Sequence, residues 1–130
     1  MTRFEVGPGV CLNLEVEGAD APIVLLHGFT GSAGSWGAFG EGLCERHTVV
    51  AVDIAGHGQS DSPLALDHYQ MTTAVDDIVR AVRMAGFAAA DWLGYSMGGR
   101  TALQVAACRP EVVERLVLIG ASPGRATEAE

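Results

Sequence analysis

Ala90-Asp91-Trp92-Leu93-Gly94-Tyr95-Ser96-Met97-Gly98-Gly99-Arg100 decides the reading of this chain. Residues 89–94 read as a strand and 98–108 as a helix that Pro110 ends. Between them stands Gly94-Tyr95-Ser96-Met97-Gly98, a G-x-S-x-G turn in the strand–turn–helix context that this motif requires. A turn this tight forces its central residue into a strained backbone conformation. The residues two before and two after must then be tiny, which accounts for Gly94 and Gly98. The turn pushes the Ser96 hydroxyl out above the sheet, and the following helix aims its free N–H groups at the same place, where they favour developing negative charge. Ser96 is therefore the candidate nucleophile.

Working outward, two continuous apolar runs, 23–26 and 49–52, suit strands buried on both faces of a parallel sheet. Residues 3–6 and 11–16 read as a hairpin around Gly7-Pro8-Gly9, with Leu12, Leu14 and Val16 alternating inward. A helix is expected over 35–46, with Trp36, Phe39 and Leu43 at helical spacing. A second is expected over 71–85, where Ala74, Val75, Ile78, Val79 and Val82 form one stripe and Asp76, Asp77, Arg80 and Arg83 lie off it, stopped at Gly86. Residues 115–119 give a last buried strand. After the hairpin the order is β-α-β-α-β-α-β, which implies a mostly parallel sheet with helices on both faces. Such sheets carry their chemistry beyond the carboxyl ends of the strands.

Two further loops lie at such ends. Leu26-His27-Gly28-Phe29-Thr30-Gly31-Ser32 follows the first buried run. When a hydroxyl attacks a carbonyl, or an enolate forms, charge collects on one oxygen, and two fixed N–H donors stabilise it by a few kcal/mol each. The backbone N–H groups of Met97 and Phe29 are the candidates, with Gly28 allowing close approach. His27 is read as a prop for this loop rather than a base, and Thr30 and Ser32 as bracing hydroxyls. Asp53-Ile54-Ala55-Gly56-His57-Gly58-Gln59-Ser60-Asp61 follows the second run. Asp53 is expected to accept backbone N–H groups in that turn. Asp53, His57 and His27 match no metal-ligand spacing, and no metal or cofactor is expected.

Composition narrows the function classes. Eight arginines stand against 16 acids among 130 residues, for a net charge of −8, which argues against nucleic acid or an anionic membrane as partner. The absence of lysine excludes Schiff-base and P-loop chemistry from these residues. Cys11, Cys44 and Cys108 are odd in number and show no C-x-x-C spacing, so a reducing cytoplasm is the expected location. No secretory leader and no membrane-spanning run are read in the sequence.

HGFTGS, DIAGHGQSD and GYSMGGR, in this order and spacing, resemble the N-terminal half of the α/β-hydrolase family over nearly the whole chain. The resemblance implies that fold, with residues 1–120 as the N-terminal half of its core, ending near the sixth strand, and 121–130 as the start of a lid connection. It matches Ser96 to the family nucleophile, and Phe29 and Met97 to its oxyanion donors. Dehalogenases and epoxide hydrolases of the family carry Asp where Ser96 stands. Ala55 departs from the Pro or Arg frequent there, in a loop read as structural. GYSMGGR, with Leu118-Ile119-Gly120-Ala121-Ser122-Pro123-Gly124, is more narrowly similar to the 2-succinyl-6-hydroxy-2,4-cyclohexadiene-1-carboxylate synthases of menaquinone biosynthesis. These eliminate pyruvate from a ring carrying several carboxylates. Arg100 stands where they hold a substrate carboxylate, and a guanidinium at a helix start offers a bidentate fork for one. Its alternative role is to pair with a surface acid. Tyr95 either lines the same pocket or only packs.

A serine needs a base and the base an orienting acid, in the chain order Ser, acid, His. No histidine follows Ser96, and Glu111, Glu114, Glu128 and Glu130 lie on a helix end or in the tail. The 130 residues are thus expected to be about half of a working fold, inactive alone. The strand from Arg115 to Ile119 would then be an open edge, awaiting the rest of the fold or a neighbouring chain. Three functions stand: a pyruvate-eliminating lyase acting on a small polycarboxylate, a serine esterase or carbon–carbon-bond hydrolase, or a non-catalytic half-domain.

Overall fold

The computed structural model describes residues 1–123; residues 124–130, most of the expected lid connection with Glu128 and Glu130, lie outside them. Nine regular elements follow in order: β1 (Thr2–Gly7), β2 (Val10–Gly18), β3 (Pro22–Leu26), α1 (Gly37–Leu43), β4 (Thr48–Val52), α2 (Met71–Met84), β5 (Ala90–Tyr95), α3 (Met97–Cys108) and β6 (Val113–Ile119). The six strands form one sheet in the order β1-β2-β4-β3-β5-β6. β1 and β2 pair antiparallel as the expected hairpin, and β2 pairs antiparallel with β4. β4, β3, β5 and β6 run parallel.

The alternating strand geometry explains the continuous apolar runs. Val24, Leu26, Val50 and Val52 face one side and pack with Val75, Ile78, Val79 and Val82 of α2 and Ala102 and Val105 of α3. Ile23, Leu25, Val49 and Ala51 face the other, against Ala33, Trp36 and Leu43. With both faces covered, every position of the runs 23–26 and 49–52 is apolar. From β3 the chain steps outward to β4, then crosses back over β3 to β5. The strand order therefore reverses at β3, and the crevice beyond the ends of β3 and β5 is the place where such sheets bind ligands.

Three expectations need correction. The helix over 35–46 is a 3-10 turn at Ala33–Trp36 followed by the short α1; Gly37 at φ 50° breaks it, and Phe39 turns outward instead of into the core. In β2 the alternation fails twice: Val16 is exposed, and Asn13, between Leu12 and Leu14, is fully buried, held by the Asp53 carboxylate. Asp77 lies off the stripe of α2 but is buried all the same, because His68 Nδ1 donates to it at 2.8 Å. β6 is an edge strand on which Val117 and Ile119 are exposed.

Candidate active site

The turn after β5 has the strained form that its sequence demands. Ser96 sits at φ 53°, ψ −113°, a region that costs a non-glycine residue about 1–3 kcal/mol. The surrounding structure enforces it. Ser96 N–H donates to Ile119 O at 2.9 Å, and Arg100 N–H to Ser96 O at 3.1 Å, so the turn is tied to the end of β6 and to the first turn of α3. A Cβ on Gly94 would overlap the Gly98 carbonyl, and one on Gly98 would overlap the Leu26 and His27 carbonyls. The two glycines thus let the turn fold on itself and press against the end of β3, where Leu26 stands in register with Gly94. Gly99 is as tightly placed, against the Ala121 side chain, a constraint that only the tertiary structure reveals. Ser96 itself is exposed at the mouth of the crevice.

Gly28 brings the loop after β3 alongside. A Cβ there would lie 3.0 Å from the Tyr95 ring and 3.6 Å from Ser96 Cβ. The next residue, Phe29, exposes its side chain, and among the described residues neither its backbone N–H nor that of Met97 donates to a protein acceptor. The two donors belong to the residues that follow Gly28 and Ser96, the pair whose close approach brings the loops together.

His27 and Asp53 are structural in geometry. Ile54 N–H donates to His27 Nε2 at 3.0 Å, and His27 Nδ1–H donates to Gly28 O at 2.7 Å. Burial pushes the His27 pKa below its ordinary 6.5, against the raising effect of the Gly28 carbonyl. Asp53, nearly inaccessible, accepts Ala33 N–H at 2.6 Å, Gln59 N–H at 2.9 Å and Asn13 Nδ2 at 2.9 Å, which joins three segments. His57 Nε2 accepts Thr30 N–H at 3.2 Å. Both rings near Ser96 thus have their two nitrogens engaged with backbone, so neither is free to take the Ser96 proton. The described residues hold no cluster of three or more potential metal ligands. Asp53→Ala removes the acceptor of the buried Ala33 N–H, of the part-buried Gln59 N–H and of one N–H of the buried Asn13 amide, and we expect urea unfolding to show a loss of about 2 kcal/mol or more.

Two clefts meet at this turn. One, of about 520 Å³, is mainly aromatic, walled by Phe29, Trp36, Phe39, Tyr95 and Ile119. The other, of about 330 Å³, is polar and holds Ser96, Met97, Arg100 and Ser122. Arg100 is exposed, and among the described residues no acid pairs with it. Sequence reasoning missed Trp36, Phe39 and Ile119 as cleft residues; their apolar spacing reads equally as core.

The model of the α/β hydrolase fold matches residues 21–130. A protein of Bacillus subtilis with the provisional name 2-succinyl-6-hydroxy-2,4-cyclohexadiene-1-carboxylate synthase is 38% identical over 98% of this chain and 47% of its own length. The 2-(acetamidomethylene)succinate hydrolase of Mesorhizobium japonicum is 32% identical over 98% of this chain and 45% of its own. Among solved structures, wild-type Cfl2 of Burkholderia cenocepacia superposes with a TM-score of 0.88 at 31% identity, over 98% of this chain and 44% of that one. The chain thus spans about half the length of these relatives. No helix among the described residues is long and apolar enough to cross a membrane. With the parallel sheet, the strained serine turn and the matched family model all in agreement, this chain belongs to the α/β-hydrolase family.

Proposed function

We propose that Ser96 is the reactive hydroxyl of an α/β-hydrolase-fold enzyme, with the Phe29 and Met97 N–H groups as its oxyanion donors. The observation that carries this reading is the strained, exposed Ser96 close to two backbone donors, those of Phe29 and Met97, that no acceptor among the described residues uses. Such donors, fixed before reaction, stabilise charge as it develops on a substrate oxygen, at no cost of reorganisation.

The finer reading is a lyase of the 2-succinyl-6-hydroxy-2,4-cyclohexadiene-1-carboxylate synthase type, working in menaquinone biosynthesis. Ser96 assists removal of a proton from carbon, the freed electron pair forms a carbon–carbon double bond, and the carbon–oxygen pair departs with pyruvate. The Bacillus relative supports this, as does Arg100, one helical turn beyond Ser96 and paired with no acid among the described residues, a fork for a substrate carboxylate. Tyr95 lines the aromatic cleft and would face the substrate's ring. A second reading, favoured by the Mesorhizobium relative, is hydrolysis of an ester or carbon–carbon bond through an acyl–Ser96 intermediate. Separation of the three cysteines supports work in the cytoplasm, and the exposed Val117 and Ile119 support pairing of β6 with a further strand.

The test assays the complete protein on the menaquinone precursor, with pyruvate read by coupled reduction, and on p-nitrophenyl esters. Pyruvate release supports the lyase, ester turnover alone supports the hydrolase, and neither activity, with Ser96 inert to fluorophosphonate, supports a non-catalytic domain. Arg100→Ala should raise KM for a polycarboxylate about tenfold or more, the loss of a charge-assisted bidentate pair, and leave neutral esters within about twofold. An equal change for both substrates would remove Arg100 from carboxylate binding.

A further inference from the structure

The loops after β3 and β4 exchange hydrogen bonds through two imidazoles. His27, from the first loop, accepts Ile54 N–H of the second; His57, from the second, accepts Thr30 N–H of the first. Each ring turns its other nitrogen to a backbone carbonyl, His27 Nδ1 to Gly28 O at 2.7 Å and His57 Nδ1 to Ala55 O at 3.2 Å. The rings lie with centroids 4.8 Å apart, and the Phe29 ring meets His57 edge-on at 5.8 Å. A carbonyl oxygen can only accept, so each Nδ1 carries the proton, and an N–H donor requires each Nε2 to be bare. One neutral tautomer satisfies all four bonds. Thr30, at φ 67°, adjoins Phe29 directly, so its hydrogen bond to His57 sets the plane of the peptide beside the Phe29 donor.

We infer that His27 and His57 form a reciprocal clasp that positions the Phe29 N–H beside Ser96, and that the clasp closes only while both rings are uncharged. This rests on the reading of Phe29 as an oxyanion donor. A proton on either Nε2 would face a backbone N–H, donor against donor, and open the joint. The titratable groups facing the pair are the two histidines themselves and Asp53: burial first, and His57 with it, oppose charge on His27, and together they outweigh the Gly28 carbonyl and Asp53, which favour it. Because the folded state depresses the His27 pKa, the His27 bond of the clasp is fully formed above that ring's ordinary 6.5 and is lost as pH falls through the lowered value. His27 and His57 are thus positioning residues, acting through the Phe29–Thr30 peptide.

The experiment uses the complete protein and two readouts. Long-range nitrogen–proton spectra at pH 8 should show both rings neutral and protonated at Nδ1, with the Thr30 and Ile54 amides protected from exchange, and acid should abolish these signals together. A ring protonated at Nε2 at pH 8, or a freely exchanging Thr30 amide, overturns the clasp. In kinetics, His57→Phe should lower kcat about tenfold or more with KM within about twofold, the cost of a donor displaced by a fraction of an ångström. His57→Gln, which accepts at any pH, should restore kcat to within about threefold and fall less steeply with acid. A folded His57→Phe with unchanged kcat, or a Gln variant no better than Phe, contradicts the proposal. If the complete protein turns over no substrate, the enzymatic reading fails while the ring spectra still decide the clasp.

Discussion

Ser96→Ala should abolish fluorophosphonate labelling of the complete protein and lower its turnover by about 10⁴-fold or more, the loss found when a nucleophile acting in a unit is removed. The fold should not suffer. Ser96 is exposed, and its N–H and carbonyl bonds to Ile119 and Arg100 belong to the backbone, which alanine keeps. Ser96→Gly sharpens the contrast. Glycine adopts φ 53° without the Cβ penalty, so this variant should be inactive yet more stable by about 1 kcal/mol in denaturant titration. A residue kept in a strained conformation at a cost in stability is what a reactive position requires and a helix cap does not. If Ser96→Ala retained most of its turnover, the hydroxyl would have no part in the chemistry.

The second large effect concerns the glycines that permit the turn. Gly98→Ala would drive a methyl into the Leu26 and His27 carbonyls, and Gly94→Ala would drive one into the Gly98 carbonyl. These neighbours are backbone atoms at the end of β3, in the residue after it and in the first turn of α3, and cannot swing aside. Each variant should lose about 4 kcal/mol or more, in the range that single substitutions reach only by such overpacking or strain. Activity should vanish with it, because relief of the clash moves Ser96 away from the Phe29 donor. Gly42→Ala is the control. It lies in α1 with open space around it and should change stability by less than about 1 kcal/mol, in the favourable direction. Comparable losses at all three positions would mean that the turn is not specially constrained.

The turn at Ser96 was legible in the sequence because its steric demands are local: a serine at positive φ needs minute neighbours at fixed offsets, whatever surrounds it. The buried strands were legible for a related reason, since a strand covered on both faces must be apolar at every position. Asn13, Asp77 and Phe39 were not. Asn13 and Asp77 are polar residues whose burial depends on partners outside their own elements, Asp53 and His68, and no pattern within the element announces such a partner. Phe39 satisfies helical spacing, but Gly37 ends the continuity of that helix, and the ring lines a cleft instead. His27 and His57 fall between. Their bracing role could be read from their loops, whereas the exchange of bonds between them required the two loops to be seen side by side. For the oxyanion donors the sequence supplied Phe29 and Met97 as candidates, and the approach of Gly28 to Ser96 gives that choice its geometry.

The most direct measurement is a crystal structure of the complete protein after reaction with a phosphonate ester. The account predicts a covalent bond from Ser96 Oγ to phosphorus, with the phosphoryl oxygen about 2.7–3.1 Å from both the Phe29 and Met97 nitrogens. Phosphorus on another residue, or an adduct at Ser96 whose oxygen points away from both donors, would contradict it.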